Sequence, residues 1–149
     1  SALGDNWTLD LAAGYLDSEA NDLEVICGSL ECEGSPLFWA PEWSAALMLD
    51  AFYPIDGGAI TGSFEASYEG ERGGDWTDVK ENYIDAYTVM AARIGYESDN
   101  GWHVQAYVEN LTDEFTWDGQ NINGGVLPSH FFGPMRPRTY GVRLGMTWD

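Results

Sequence analysis

Thr139-Tyr140-Gly141-Val142-Arg143-Leu144-Gly145-Met146-Thr147-Trp148 reads in two registers. Its even positions, Tyr140, Val142, Leu144, Met146 and Trp148, are all apolar, with an aromatic ring at each end. Its odd positions are small, polar or charged. A period of two is the signature of a β-strand, whose side chains alternate between faces. Rings at both ends of one apolar face point further, to a strand that crosses a hydrocarbon layer with an aromatic at each interface. A strand of a soluble sandwich also alternates, but nothing obliges its rings to stand at the two ends.

The same pattern recurs five times upstream. Trp7, Leu9, Leu11, Ala13 and Tyr15 alternate with Thr8, Asp10, Ala12 and Gly14. Ala45, Leu47, Leu49, Ala51, Tyr53 and Ile55 form the second apolar set, and Ile60, Gly62, Phe64, Ala66 and Tyr68 the third. A fourth strand sets Ala86 to Tyr96 against Asp85 to Gly95, and a fifth sets Trp102, Val104, Ala106 and Val108 against His103, Gln105, Tyr107 and Glu109. Each is about long enough to span a bilayer when tilted. The connections alternate in length. Residues 54–58 and 97–101 are tight turns, whereas 17–42, 70–82 and 113–137 are long. Short turns at one end and long loops at the other is the layout of an outer-membrane barrel. No helix is required, although 78–84 would suit a short turn. The predicted fold is all-β: an antiparallel up-and-down meander of six strands. It becomes eight if segments near Leu23–Cys27 and Phe115–Asp118 join and close a small barrel.

Composition narrows the function. Six Lys and Arg stand against 25 Asp and Glu, for a net charge of −19. So acidic a chain offers no basic patch for nucleic acid. The charge reads first as solubility and second as a cation-attracting surface with Ca²⁺ bridging carboxylates, although no loop has the spaced ligands of a calcium hand. No other cofactor or metal is implied. No apolar run reaches the 18 residues of a transmembrane helix, which leaves a barrel open. No export signal is visible, so any such signal is expected to have been removed or to lie upstream. Cys27 and Cys32 enclose Gly-Ser-Leu-Glu, a spacing suited to a small disulfide loop in an oxidising compartment.

Two phrases carry a family likeness: Tyr107-Val108-Glu109-Asn110-Leu111-Thr112-Asp113-Glu114-Phe115, and Pro137-Arg138-Thr139-Tyr140-Gly141 opening the last strand. With Ala40–Leu49 and Tyr87–Ser98 they resemble, in order, the final strands of TonB-dependent outer-membrane receptors. The resemblance implies a non-enzymatic transport protein of the Gram-negative outer membrane. Its parent would take up a scarce ligand such as a siderophore, cobalamin or glycan. Residues 1–149 would be one segment of the barrel's C-terminal part, without plug domain or coupling box. The family's usual terminal aromatic is displaced here, since Asp149 follows Trp148. Ser1 falls where a hairpin turn of the parent is expected.

Six strands cannot enclose a receptor-sized pore, and an open sheet leaves two edges of unpaired N–H and C=O groups. The expected partners are therefore the rest of a receptor barrel, with outer-membrane lipid around it, or copies of the chain itself in an extracellular filament or tube. The apolar stripe of Tyr140–Trp148 and of Trp7, Leu9, Leu11 and Tyr15 would meet lipid or protein. On the polar face stand Glu65, Glu69, Asp85 and Glu109, with Arg93 and Arg143 expected to counter some of these acids. A glycosidase-like carboxylate pair is the sharper alternative there, and polar lining the plainer one. His103 reads as a hydrogen-bonder on that face, and His130, beside Ser129, as a rim residue. Trp39, Trp76, Trp117, Phe131 and Phe132 lie in or beside the long loops. They are candidates for ligand contact or for packing the loops together.

Overall fold

The computed structural model describes residues 1–19, 21, 34–74, 80–121 and 131–148. The segment Leu23–Cys27, Cys32, Trp76, Ser129 and His130 lie outside them. Among the described residues ten strands form: β1 (Trp7–Tyr15), β2 (Trp43–Ile55), β3 (Gly58–Glu69), β4 (Arg72–Gly73), β5 (Tyr83–Ile84), β6 (Tyr87–Ser98), β7 (Trp102–Glu109), β8 (Trp117–Asn121), β9 (Phe131–Pro134) and β10 (Thr139–Met146). One 3₁₀ turn, Lys80–Asn82, precedes β5.

Six of the strands make one antiparallel sheet in the order β1-β2-β3-β6-β7-β10, the expected meander. β4–β5 and β8–β9 form separate two-stranded ribbons. Among the described residues the sheet does not close into eight strands: the strand near Phe115–Asp118 exists as β8, but it pairs with β9 and not with the main sheet. The fourth predicted strand is corrected at its start. Asp85 lies outside β6, because the ladder with β3 ends at Glu69↔Tyr87.

The registers carry the alternation across every strand. One row of partners runs Trp7, Ala51, Gly62, Ile94, Ala106 and Val142; the next runs Leu9, Leu49, Phe64, Ala92, Val108 and Tyr140. A one-residue slip in any pair would send a polar set to the apolar face, so the pattern fixes the register. The short turns are Asp56–Gly57 and Asp99–Gly101, with Gly57 and Gly101 at φ of 83° and 82°. That left-handed conformation suits glycine.

The apolar face is uncovered. Among the described residues the only buried hydrophobics are Ala59, Ile84 and Tyr87, and the latter two sit at the long-loop end. Tyr140, Leu144 and Trp148 are each more than three quarters exposed. A sandwich of this length would bury its inner face. This sheet instead spreads one across six strands.

Candidate functional site

The apolar face has two aromatic rims. At the short-turn end Trp7 meets Tyr53 edge-on, with centroids 5.9 Å apart and the indole N–H donating to the Tyr53 hydroxyl at 2.5 Å. Further along the same rim Tyr96 and Trp102 lie 5.1 Å apart. At the long-loop end Tyr15 and Trp43, directly opposite in the ladder, lie 4.7 Å apart. Between the rims the face is aliphatic, as in the row Leu11, Leu47, Ala66 and Met90. Rings with polar tips flanking an aliphatic band match a lipid slab with wet interfaces.

The opposite face is polar and holds its charges on neighbouring strands. Arg93 on β6 bonds to Glu65 on β3, and its other terminal nitrogen is 4.0 Å from Glu109 on β7. One guanidinium thus links three strands. Arg143 shares this face but goes elsewhere: its guanidinium lies 4.5 Å from the Tyr107 ring centroid, and among the described residues it pairs with no acid. The two glycines flanking Arg143 sit under rings. A Cβ on Gly141 would meet the Tyr107 hydroxyl at 2.8 Å, and one on Gly145 would run into the His103 imidazole. Glu69 faces Arg72 at 2.8 Å. Asp85 is exposed ahead of β6.

The long-loop end carries two arrangements that sequence reasoning missed. In the first, Arg72, 4% exposed, reaches Glu69 and the Tyr87 hydroxyl, with its guanidinium over the Tyr87 ring at 5.2 Å. A signal existed, since Arg72 is one of only six basic residues and sits in a glycine-rich stretch. The second joins the two family-like phrases. Asn110, 4% exposed and at φ 52°, donates to the carbonyls of Glu114 (2.8 Å) and Arg136 (3.0 Å) and accepts from the Glu114 N–H. Asp113 accepts from the Arg138 N–H at 3.1 Å and pairs with its guanidinium at 3.5 Å. The Asn-Leu-Thr-Asp turn therefore clasps the Pro-Arg-Thr entry to β10.

The loop aromatics divide. Trp117 stacks between Phe115 (5.4 Å) and Phe132 (5.0 Å) on the β8–β9 ribbon, whose other strand begins at Phe131. Trp39, at φ 61°, packs edge-on to Phe38. Among the described residues no three His, Cys, Asp or Glu side chains gather as a metal-ligating set.

Comparison with known proteins agrees with this geometry. The family described as TonB dependent receptor-like, beta-barrel, matches residues 2–111. The ferric yersiniabactin uptake receptor FyuA of Yersinia pestis superposes with a TM-score of 0.76 at 18% identity, covering 94% of this chain and 21% of the receptor. The siderophore receptor PiuA of Acinetobacter baumannii gives 0.71 at 19% identity, covering 95% and 19%. The ferric-catecholate import receptor Fiu of E. coli K12 gives 0.66 at 19%, covering 95% and 18%. The chain thus spans about a fifth of the length of the receptors it matches. No curated protein sequence matches it.

Proposed function

We propose a function from one premise: the chain belongs to the TonB-dependent receptor family, whose β-barrel it partly builds. It is the C-terminal wall segment of an outer-membrane receptor, non-enzymatic, paired along its edges with the rest of the barrel. The observation that carries this is the uncovered apolar face with a ring-lined rim at each end, backed by the polar face of Glu65, Arg93 and Glu109. The face meets outer-membrane lipid and the polar side lines the lumen. The parent imports a scarce ligand. The names of the three similar receptors favour a siderophore over cobalamin or a glycan. The Cys27–Cys32 disulfide belongs to this reading as a loop staple outside the cell.

The test places a fluorophore at Leu11→Cys or at Ala12→Cys, in a full receptor barrel containing the chain with both native cysteines replaced by serine, folded into vesicles with brominated acyl chains. Leu11 and Ala12 are adjacent but on opposite faces. Quenching at Leu11 and not at Ala12 supports the reading; equal quenching overturns it.

A second reading is favoured by the open edges of β1 and β10. Copies of the chain pair edge to edge into an extracellular filament or tube. Long regular polymers in detergent-free solution would support it, and a species found only as single chains would refute it.

A further inference from the structure

We propose that β10 of one copy adds to β1 of a second copy in a single register, with Tyr140–Trp148 opposite Trp7–Tyr15. This rests on the self-assembly reading and specifies its contact.

Direction comes first. An even number of antiparallel strands leaves the two outermost ones antiparallel to each other. A copy rotated about a common axis therefore extends the ladder with its apolar face on the same side.

Hydrogen-bond parity comes next. The Trp7 carbonyl and the Leu9 N–H bond outward, to Leu3 and Ser1, whereas the Asn6 carbonyl bonds inward to Phe52. The odd residues of β1 therefore turn their backbone groups to the free edge. On β10 the Thr147 N–H bonds inward to Gly101, so the even residues turn outward. The hydrogen-bonded pairs across the new interface are then odd with even: Trp7 with Trp148, Leu9 with Met146, Leu11 with Leu144, Ala13 with Val142, Tyr15 with Tyr140. Apolar meets apolar in all of them, and the pairing supplies about ten main-chain bonds.

Geometry selects this register among those of correct parity. Within one chain the ladder row from Trp7 arrives at Val142. Setting Trp7 against Trp148 offsets the next copy by six residues over six strands. At about 3.3 Å per residue and about 4.8 Å per strand this is a tilt of about 35°, the lower end of the range in which sheets close. The offset also uses the full length of both edges.

Charge agrees. Arg143 falls opposite Ala12 and diagonal to Asp10, within reach of a long side chain. In the single chain Asp10 instead receives the Ser1 ammonium at 3.0 Å. Ser1–Leu3 folds back over the lower part of the β1 edge and must leave when the second copy arrives. It surrenders two main-chain amide bonds, the Ser1 ammonium's bond to the Leu9 carbonyl at 2.6 Å and an exposed ion pair for the longer ladder.

The test uses cysteine pairs in a Cys27→Ser, Cys32→Ser background. Copies carrying Thr8→Cys or Ala12→Cys are mixed with copies carrying Thr147→Cys or Arg143→Cys, assembled and mildly oxidised. Thr8 with Thr147 and Ala12 with Arg143 are non-hydrogen-bonded pairs, whose Cα separation of about 4.5 Å suits a disulfide. The exchanged pairs, Thr8 with Arg143 and Ala12 with Thr147, stand four residues out of register, about 13 Å apart. Matched pairs are expected to cross-link about tenfold more than exchanged ones, given how narrow disulfide geometry is. Equal yields in a sample that sediments as an assembly would overturn the register and leave self-assembly standing. A sample that sediments only as single chains, with and without detergent, would overturn both.

Discussion

Leu11→Arg separates a lipid-facing sheet from a water-facing one. Leu11 lies midway between Trp7 and Tyr15 on β1, four residues from either ring, and opposite Leu47. At about 3.3 Å per residue and a tilt near 35°, it sits about 11 Å from each rim, near the middle of the slab. An arginine on the lipid face of a barrel at that depth costs about 2–4 kcal/mol. The folded-to-unfolded ratio should then fall roughly 30- to 1,000-fold. Two controls bracket the effect. Ala12→Arg is adjacent but on the polar face, and the surface rule limits it to about 0.5 kcal/mol. Tyr15→Arg is on the apolar face but at the rim, where the charge costs about 0–1 kcal/mol. Urea titration in phospholipid vesicles of a full barrel containing the chain, followed by tryptophan fluorescence, gives all three. If Leu11→Arg lies within about 0.5 kcal/mol of Ala12→Arg, the face does not meet hydrocarbon and the depth argument fails.

Three further outcomes are expected. Asn110→Ala removes the donor that holds two carbonyls and places alanine at φ 52°; a loss of about 2–4 kcal/mol should follow, with faster amide exchange at the start of β10, and unchanged exchange there would refute the clasp. The Arg93–Glu65 pair is part-exposed, so a double-mutant cycle with Arg93→Met and Glu65→Gln should give a coupling of about 1 kcal/mol that shrinks with salt; zero coupling at low salt would show the contact to be incidental. Cys27 and Cys32 should take up no iodoacetamide until a reductant is added; two adducts without reductant would remove the disulfide and its argument for an oxidising compartment.

Much of the sheet was legible because its environment is two-sided. One apolar and one polar face force a period of two, and all six long strands declare themselves that way, from Trp7–Tyr15 to Tyr140–Trp148. The limits of β6 were not, since Asp85 and Ala86 continue the alternation beyond the point where β3 supplies a partner. Arg143 was expected against an acid and lies instead on Tyr107, a choice made by the cross-strand neighbour at Gly141. The clasp was visible as two phrases but not as one object. Its contacts join Asn110 to Arg136 and Asp113 to Arg138, and no local periodicity reports on partners so far apart. The Arg72–Tyr87 contact is hidden for the same reason.

Face and edge impose different demands on whatever surrounds the sheet. Lipid satisfies the apolar face but cannot satisfy the edges. β1, nine residues long, turns five residues outward and β10, eight residues long, turns four, with about eight to ten backbone groups on each edge, and each group left unpaired in hydrocarbon costs several kcal/mol. The sum is tens of kcal/mol, beyond the net stability of a domain. The sheet therefore cannot enter a bilayer alone. Strands, from the rest of a receptor or from another copy, must cover β1 and β10. In water the demands reverse. Solvent tolerates the edges, while the uncovered apolar face drives association. Pairing β10 with β1 then solves only half the problem, and a tube stable without detergent must also lay protein over the band between the Trp7 and Tyr15 rims. Detergent is thus the discriminating variable. A ring closed by edges alone should need it, and a fibre with its face covered should not.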